Sequence, residues 1–226
     1  MPGIGRRSSS DGPRGPIRRA VVSRISRLSS ALMRSQQEHR RQQFAEVGAP
    51  PGRIVFLGDS ISEFGLWEEW FTGLPVLNRG IGGETSGQVL ARLDTAINAP
   101  RAVFLLIGTN DLTAAVPEDD IVANVKSILR GIEQRAPGTP VYLQSVMPRS
   151  IDFRPEIQAL NRRYRQLAES AAADVRYLDL WPLLSDEAGG LKKEYTLDRL
   201  HLNGAGYRAW ADLLRPALES LPSTAG

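Results

Sequence analysis

The chain has 226 residues, 42% of them apolar and 23% charged, a balance that suits one globular domain with a sizeable core. It holds no cysteine, which excludes disulfides, thiol nucleophiles and thiolate metal sites, and no apolar run approaches the roughly 20 residues of a membrane-spanning helix. The net charge of +3 is unevenly placed: residues 1–49 hold ten arginines against three acidic residues, so the remainder carries four excess negative charges and no nucleic acid partner is expected.

Residues 1–16 are rich in Gly, Pro, Ser and Arg with almost nothing to bury, and read as a disordered basic tail. Residues 17–49 read as a basic amphipathic helix, with Val21, Ile25, Leu28 and Leu32 at one-face spacing. Such a helix suits packing across the domain, or contact with an anionic membrane or a partner protein. A homo-oligomer is equally open. Arginines interrupt every candidate apolar stretch, so no secretory signal is expected and the chain reads as cytoplasmic. Ala49-Pro50-Pro51-Gly52 then breaks the helix, and a domain over 53–222 follows.

Within that domain, apolar runs at 54–57, 76–78, 103–107, 141–146 and 175–180 predict five strands. Each run is continuous in apolar character, as parallel strands covered on both faces are. Helical patterns lie between and after them at 85–97, 118–135, 156–172 and 203–221, with Pro117 placed to start the second of these and Gly138 and Pro140 to end it. Strand–helix alternation of this kind predicts a doubly wound α/β sheet, whose active crevice lies outside the carboxyl ends of its strands.

Four segments carrying chemistry fall on that rim. Gly58-Asp59-Ser60 follows the first strand, and Ser60 is positioned to offer a hydroxyl together with its own N–H. Gly80-Ile81-Gly82-Gly83 follows the second, where the Gly83 N–H can meet a developing oxyanion. Gly108-Thr109-Asn110-Asp111 follows the third, with Asn110 as a side-chain donor. Asp198-Arg199-Leu200-His201 precedes the last helix, and its carboxylate can orient one imidazole nitrogen while the other faces Ser60. The second histidine, His39, lies in the arginine-rich N-terminal stretch. Taken singly, each segment has a plain alternative as a turn, a helix cap or a phosphate-binding loop.

Together, Gly58-Asp59-Ser60-Ile61-Ser62, the Gly83 block, Gly108-x-Asn110-Asp111 and Asp198-x-x-His201 resemble the four sequence blocks of the SGNH (GDSL-type) hydrolases. The Gly-rich block is most similar to the branch holding platelet-activating-factor acetylhydrolase catalytic subunits and small bacterial esterases. The resemblance implies a three-layer, flavodoxin-like α/β/α sandwich on a parallel sheet of about five strands, here with an N-terminal helical extension. It further implies a serine esterase working through an acyl-enzyme. Ser60 would be the nucleophile, His201 the base and Asp198 its orienter, with Ser60, Gly83 and Asn110 forming the oxyanion hole. No metal or organic cofactor is implied.

The resemblance implies a small-molecule ester as substrate, and short connections leave little material for a lid, so a small, open site and short-chain esters are expected. Asp59, Trp67 and Arg149 are candidate substrate contacts, with core or solvated roles as their alternatives; Trp70 and Arg154 raise the same question. A carbohydrate or lipid O-deacetylase of the same family is a neighbouring reading. A non-catalytic flavodoxin-like binding module is the alternative from another class.

Overall fold

The computed structural model describes residues 16–171 and 173–221, with side chains from Leu32 onward within that range. Most of the expected basic tail, and the side chains of Val21, Ile25 and Leu28, lie outside the described residues.

Five parallel strands form one sheet in the order β2-β1-β3-β4-β5: β1 Ile54–Gly58, β2 Val76–Gly80, β3 Ala102–Leu106, β4 Val141–Gln144 and β5 Val175–Leu178. The pairing registers Ile54 against both Val76 and Ala102. Every residue of β1 and β3 is buried, because both strands are covered on both faces. Alternate residues feed two cores. Ile54 and Phe56 join Trp67, Phe71, Trp210 and Leu214 on one face, while Val55 and Leu57 join Val89, Ile121, Val125 and Leu160 on the other. The first face is braced by an aromatic stack across three strands: Phe104 lies 5.2 Å from Phe56 and 4.5 Å from Tyr142, and Trp67 covers Phe56 at 4.0 Å. Rings in this geometry add about 0.5–1.5 kcal/mol per pair beyond their buried area.

The helices are α1 Pro16–Val47, α2 Ser60–Glu63, α3 Trp67–Trp70, α4 Ser86–Leu90, α5 Thr109–Thr113, α6 Glu118–Arg135, α7 Arg154–Glu169, α8 Trp181–Leu184 and α9 Gly204–Glu219. This is the expected flavodoxin-like sandwich. The helix α6 occupies the span predicted for it. The helix expected over 85–97 is instead interrupted: α4 ends at Leu90 and a 3₁₀ turn forms at Leu93–Thr95. Between them Arg92 turns inward, where its Nε meets Glu84 at 2.6 Å, and that buried ion pair displaces a continuous helix. The four-residue helices escape a periodicity reading because they are shorter than the window it needs.

The visible side-chain part of α1 packs against the carboxyl ends of β1 and β2 through residues 33, 37, 40, 41 and 44. Phe44 lies under the Arg79 guanidinium at 4.3 Å, and Arg79 also donates to the Gly48 carbonyl. Arg41 pairs with Glu84 at 2.8 Å and Arg40 with Glu63 at 3.2 Å. Leu32, the described member of the expected apolar stripe, is exposed. Among the described residues, no helix is long and apolar enough to cross a membrane.

Candidate active site

Strand β1 ends at Gly58 and the chain turns at once into α2. A Cβ at Gly58 would stand 2.1 Å from the Leu106 carbonyl oxygen, so the turn passes only without a side chain there. Asp59, not Ser60, caps the helix: its Oδ1 accepts the Ile61 N–H at 3.0 Å. Ser60 thereby sits at the first helical position, 8% exposed, with its hydroxyl beside the rim.

His201 arrives from 141 residues away, and its Nε2 stands 3.0 Å from Ser60 Oγ. Its Nδ1 stands 2.7 Å from Asp198 Oδ2. The tetrad that carries both is pre-shaped. Asp198 Oδ1 accepts the N–H groups of Leu200 (2.9 Å) and His201 (2.8 Å), and Thr196 Oγ1 accepts from Arg199 N (2.9 Å) while donating to the His201 carbonyl (2.7 Å). Arg199 takes a φ of 63°, a left-handed conformation whose cost of about 1 kcal/mol these bonds offset. Partial burial alone would raise the Asp198 carboxyl. Hydrogen bonds from the His201 ring and from the two backbone N–H groups outweigh it and bring the carboxyl down to about 2. An ionised Asp198 can only accept, so Nδ1 carries the proton and Nε2 is left with its lone pair toward Ser60. Thr196 had no signal in the sequence, being one threonine among many.

The oxyanion candidates lie alongside. Gly83 is the third residue of a turn closed by Glu84 N to Ile81 O at 3.3 Å, and its φ of 76° suits glycine there. Asn110 Nδ2 donates one hydrogen to the Glu84 carbonyl at 3.0 Å and keeps its second for another acceptor. Asp111, buried, accepts from both the N–H and the hydroxyl of Ser86 and so ties α5 to the end of the Gly-rich segment. Glu84 is fully buried between Arg41 and Arg92.

Ser60, Gly83, Asn110 and His201 line one cavity of about 720 Å³, with Phe64 and Leu200 beside them. One wall is the helix α1, which supplies Met33, Gln36, Gln37, His39, Arg40 and Gln43. The cavity is open to solvent, and the N-terminal helix, which the loop lengths did not bring into account, supplies one of its walls. His39 belongs to this wall, while Ser60 is bonded to His201.

The candidate substrate contacts are placed elsewhere. Trp67 is buried in the aromatic stack and donates its indole N–H to the Ser62 carbonyl at 2.9 Å. Trp70 packs behind it, near Arg208. Asp59 is buried under α2 with Oδ2 unpartnered; burial first, then the neighbouring Asp111 and Glu84 carboxylates, push its carboxyl up to about 7. Arg149 braces α5, donating to Thr109 Oγ1 (3.2 Å) and Thr113 Oγ1 (2.7 Å) and stacking on Phe153. Arg154 donates to the Ala188 carbonyl. Among the described residues, no group of three His, Cys, Asp or Glu side chains is placed to hold a metal ion.

The model of the GDSL-like lipase/acylhydrolase family matches residues 56–209. Bovine platelet-activating factor acetylhydrolase IB subunit alpha1 is 29% identical over 164 residues, which cover 68% of this chain and 69% of that one. A Streptococcus pneumoniae structure bearing the name platelet activating factor superposes with a TM-score of 0.81 at 32% identity, covering 87% of this chain and 99% of the other. A GDSL-like lipase from Bacteroides thetaiotaomicron superposes with a TM-score of 0.68 at 26% identity, over 81% and 97% of the two chains.

Proposed function

The chain belongs to the GDSL-like lipase/acylhydrolase family, and from that premise we propose that it is a serine esterase acting on short-chain carboxylic esters through an acyl-enzyme. The observation that carries this reading is the Ser60–His201–Asp198 relay, with successive separations of 3.0 and 2.7 Å, opening into a cavity.

His201 Nε2 takes the Ser60 proton as Oγ attacks the ester carbonyl, help that contributes typically ~10²–10⁴-fold. Asp198 holds the ring in the tautomer this requires and stabilises the imidazolium that forms. The N–H groups of Ser60 and Gly83 and the free hydrogen of the Asn110 amide receive the oxyanion, and one such donor is worth about 10²–10³ in kcat. The imidazolium then protonates the leaving alkoxide. Water, deprotonated by the same nitrogen, repeats the attack and frees the acid.

The cavity wall supports a short acyl group. A long chain needs a continuous apolar channel, whereas the lining mixes Met33, Phe64, Ile81 and Leu200 with Gln36, Gln37, His39, Arg40 and Gln43 of α1. Those side chains suit a polar, oxygen-rich alcohol portion. The test is hydrolysis of p-nitrophenyl esters from acetyl to dodecanoyl by wild type and Ser60→Ala. Turnover should be highest at acetyl or propionyl and vanish in Ser60→Ala. No turnover above buffer, with no serine-directed phosphonate on Ser60 by mass spectrometry, would overturn the reading.

A further inference from the structure

Gln37 is the one buried polar side chain on the described cavity-facing surface of α1, 6% exposed, and its Nε2 donates to the Gly82 carbonyl at 2.8 Å. That carbonyl and the Gly83 N–H belong to one peptide group, and the two point in opposite directions across its plane. They also form the central peptide of the Ile81–Glu84 turn. In such turns the central peptide has two orientations, related by a flip: type II, with positive φ at the third residue, and type I, with negative φ. Glycine at the third position accepts either, so local sequence does not choose between them. Here the φ of 76° is the type II state, and Gln37 bonds the carbonyl in that state.

The rest of the turn is held from the other side. Glu63, at the end of the helix that begins with Ser60, accepts the Gly82 N–H at 2.8 Å, and Arg40 of α1 holds Glu63. Met33 and Gln37 leave no room over Gly83, where a Cβ would meet Gln37 Nε2 at 2.9 Å and Met33 Sδ at 3.0 Å. We infer that Gln37 is a positioning residue of the N-terminal helix that locks the Gly82–Gly83 peptide with its N–H turned to the oxyanion site. This rests on the esterase reading, since it assigns α1 a task in that chemistry. Loss of the Gln37 donor would let the peptide flip and withdraw one of three oxyanion donors without touching the relay.

Gln37→Met keeps the length and removes the donor; Gln37→Ala removes both; Gln42→Ala, an exposed residue bonded only to Glu38, is the control. With p-nitrophenyl acetate, kcat of Gln37→Met should fall about 10- to 100-fold with KM within about threefold, approaching the loss of one donor. Affinity for a boronic acid, whose tetrahedral adduct carries the oxyanion-like oxygen, should fall by a similar factor, and the midpoint of the pH–rate profile should stay in place. In both Gln37 variants, and not in Gln42→Ala, the strong NOE between Gly82 Hα and the Gly83 N–H of the type II turn should give way to one between the Gly82 and Gly83 N–H groups, as a type I turn has. The inference is overturned if Gln37→Met matches wild type in kcat, or if KM alone changes, which would make Gln37 a wall residue. Should wild type prove no faster than Ser60→Ala, the esterase reading fails by itself; unchanged Gly82–Gly83 NOEs in the Gln37 variants then overturn the lock independently.

Discussion

The two flanks of the cavity are built by different forces. The flank carrying Ser60 and His201 stands on the aromatic face of the sheet, where Phe56, Trp67, Tyr207 and Trp210 are buried together. The flank opposite is α1, fastened by Gln37 to a carbonyl, by Arg40 and Arg41 to carboxylates, and by Phe44 to a guanidinium. The first gains most of its stability from apolar area at about 25 cal/mol per Å². The second depends on particular pairs and fails pair by pair. Activity needing both flanks should therefore respond to variants on each, while stability should respond differently.

The sharpest separation is Ser60→Ala. Turnover of p-nitrophenyl acetate should fall about 10⁶-fold, as removal of a relay serine does elsewhere. The urea midpoint should barely move, since the hydroxyl has no structural partner besides His201. Asp198→Asn should follow at about 10⁴-fold in kcat, because an amide can present the wrong atom to Nδ1 and fix the wrong tautomer. A loss confined to KM would argue that Asp198 only shapes the rim.

On the α1 side the loss should appear first in stability. Glu84→Gln leaves Arg92 buried without its counter-charge and should cost about 3–5 kcal/mol by urea unfolding. Arg41→Gln removes the more exposed partner of the same carboxylate and should cost about 1 kcal/mol. If the two variants proved equal, the buried triad would not be what fastens α1.

Asp59 couples the flanks electrostatically, lying near both Asp111 and Glu84. Its carboxyl rises from an ordinary 3.8 to about 7 in the fold, so the native state binds a proton that the unfolded chain releases. Stability from this group is whole below about pH 4 and declines as pH rises through 7, by at most about 4 kcal/mol at 1.36 per unit. Urea unfolding at pH 5 and pH 8 should show that decline, and Asp59→Asn should flatten it. Asp198 runs the other way: its stabilisation is present above 3.8 and lost only as pH falls toward 2.

The contrast between the flanks also explains what could be read in advance. The strands at 54, 103 and 141 announce themselves because burial on both faces demands continuous apolar runs, while the edge strands at 76 and 175 are only partly buried. The helix α6 does so because Pro117 and Gly138 punctuate an amphipathic stretch. Ser60, Gly83, Asn110, Asp198 and His201 were legible as a set because strand-end glycines and short tetrads carry local signatures. Trp67 and Arg149 are substrate candidates in the sequence because they follow rim segments, with core or solvated roles as the alternatives. Yet nearness in sequence to a rim does not give the direction of a side chain, and both turned to brace the protein instead.

The docking of α1 had no such signature. Its contact face is residues 33, 37, 40, 41 and 44, mostly polar, and Gln37 meets Gly82 across 45 residues. Apolar periodicity reports the hydrophobic effect, which is non-directional and so leaves a stripe in the sequence whatever the partner is. A polar contact is pairwise and directional, and half of it resides in the partner. The sequence by itself therefore determined the sandwich and the five residues on its rim. Only the tertiary structure decided that an arginine-rich helix, legible in itself, would wall the cavity beside them and bond the Gly82 carbonyl.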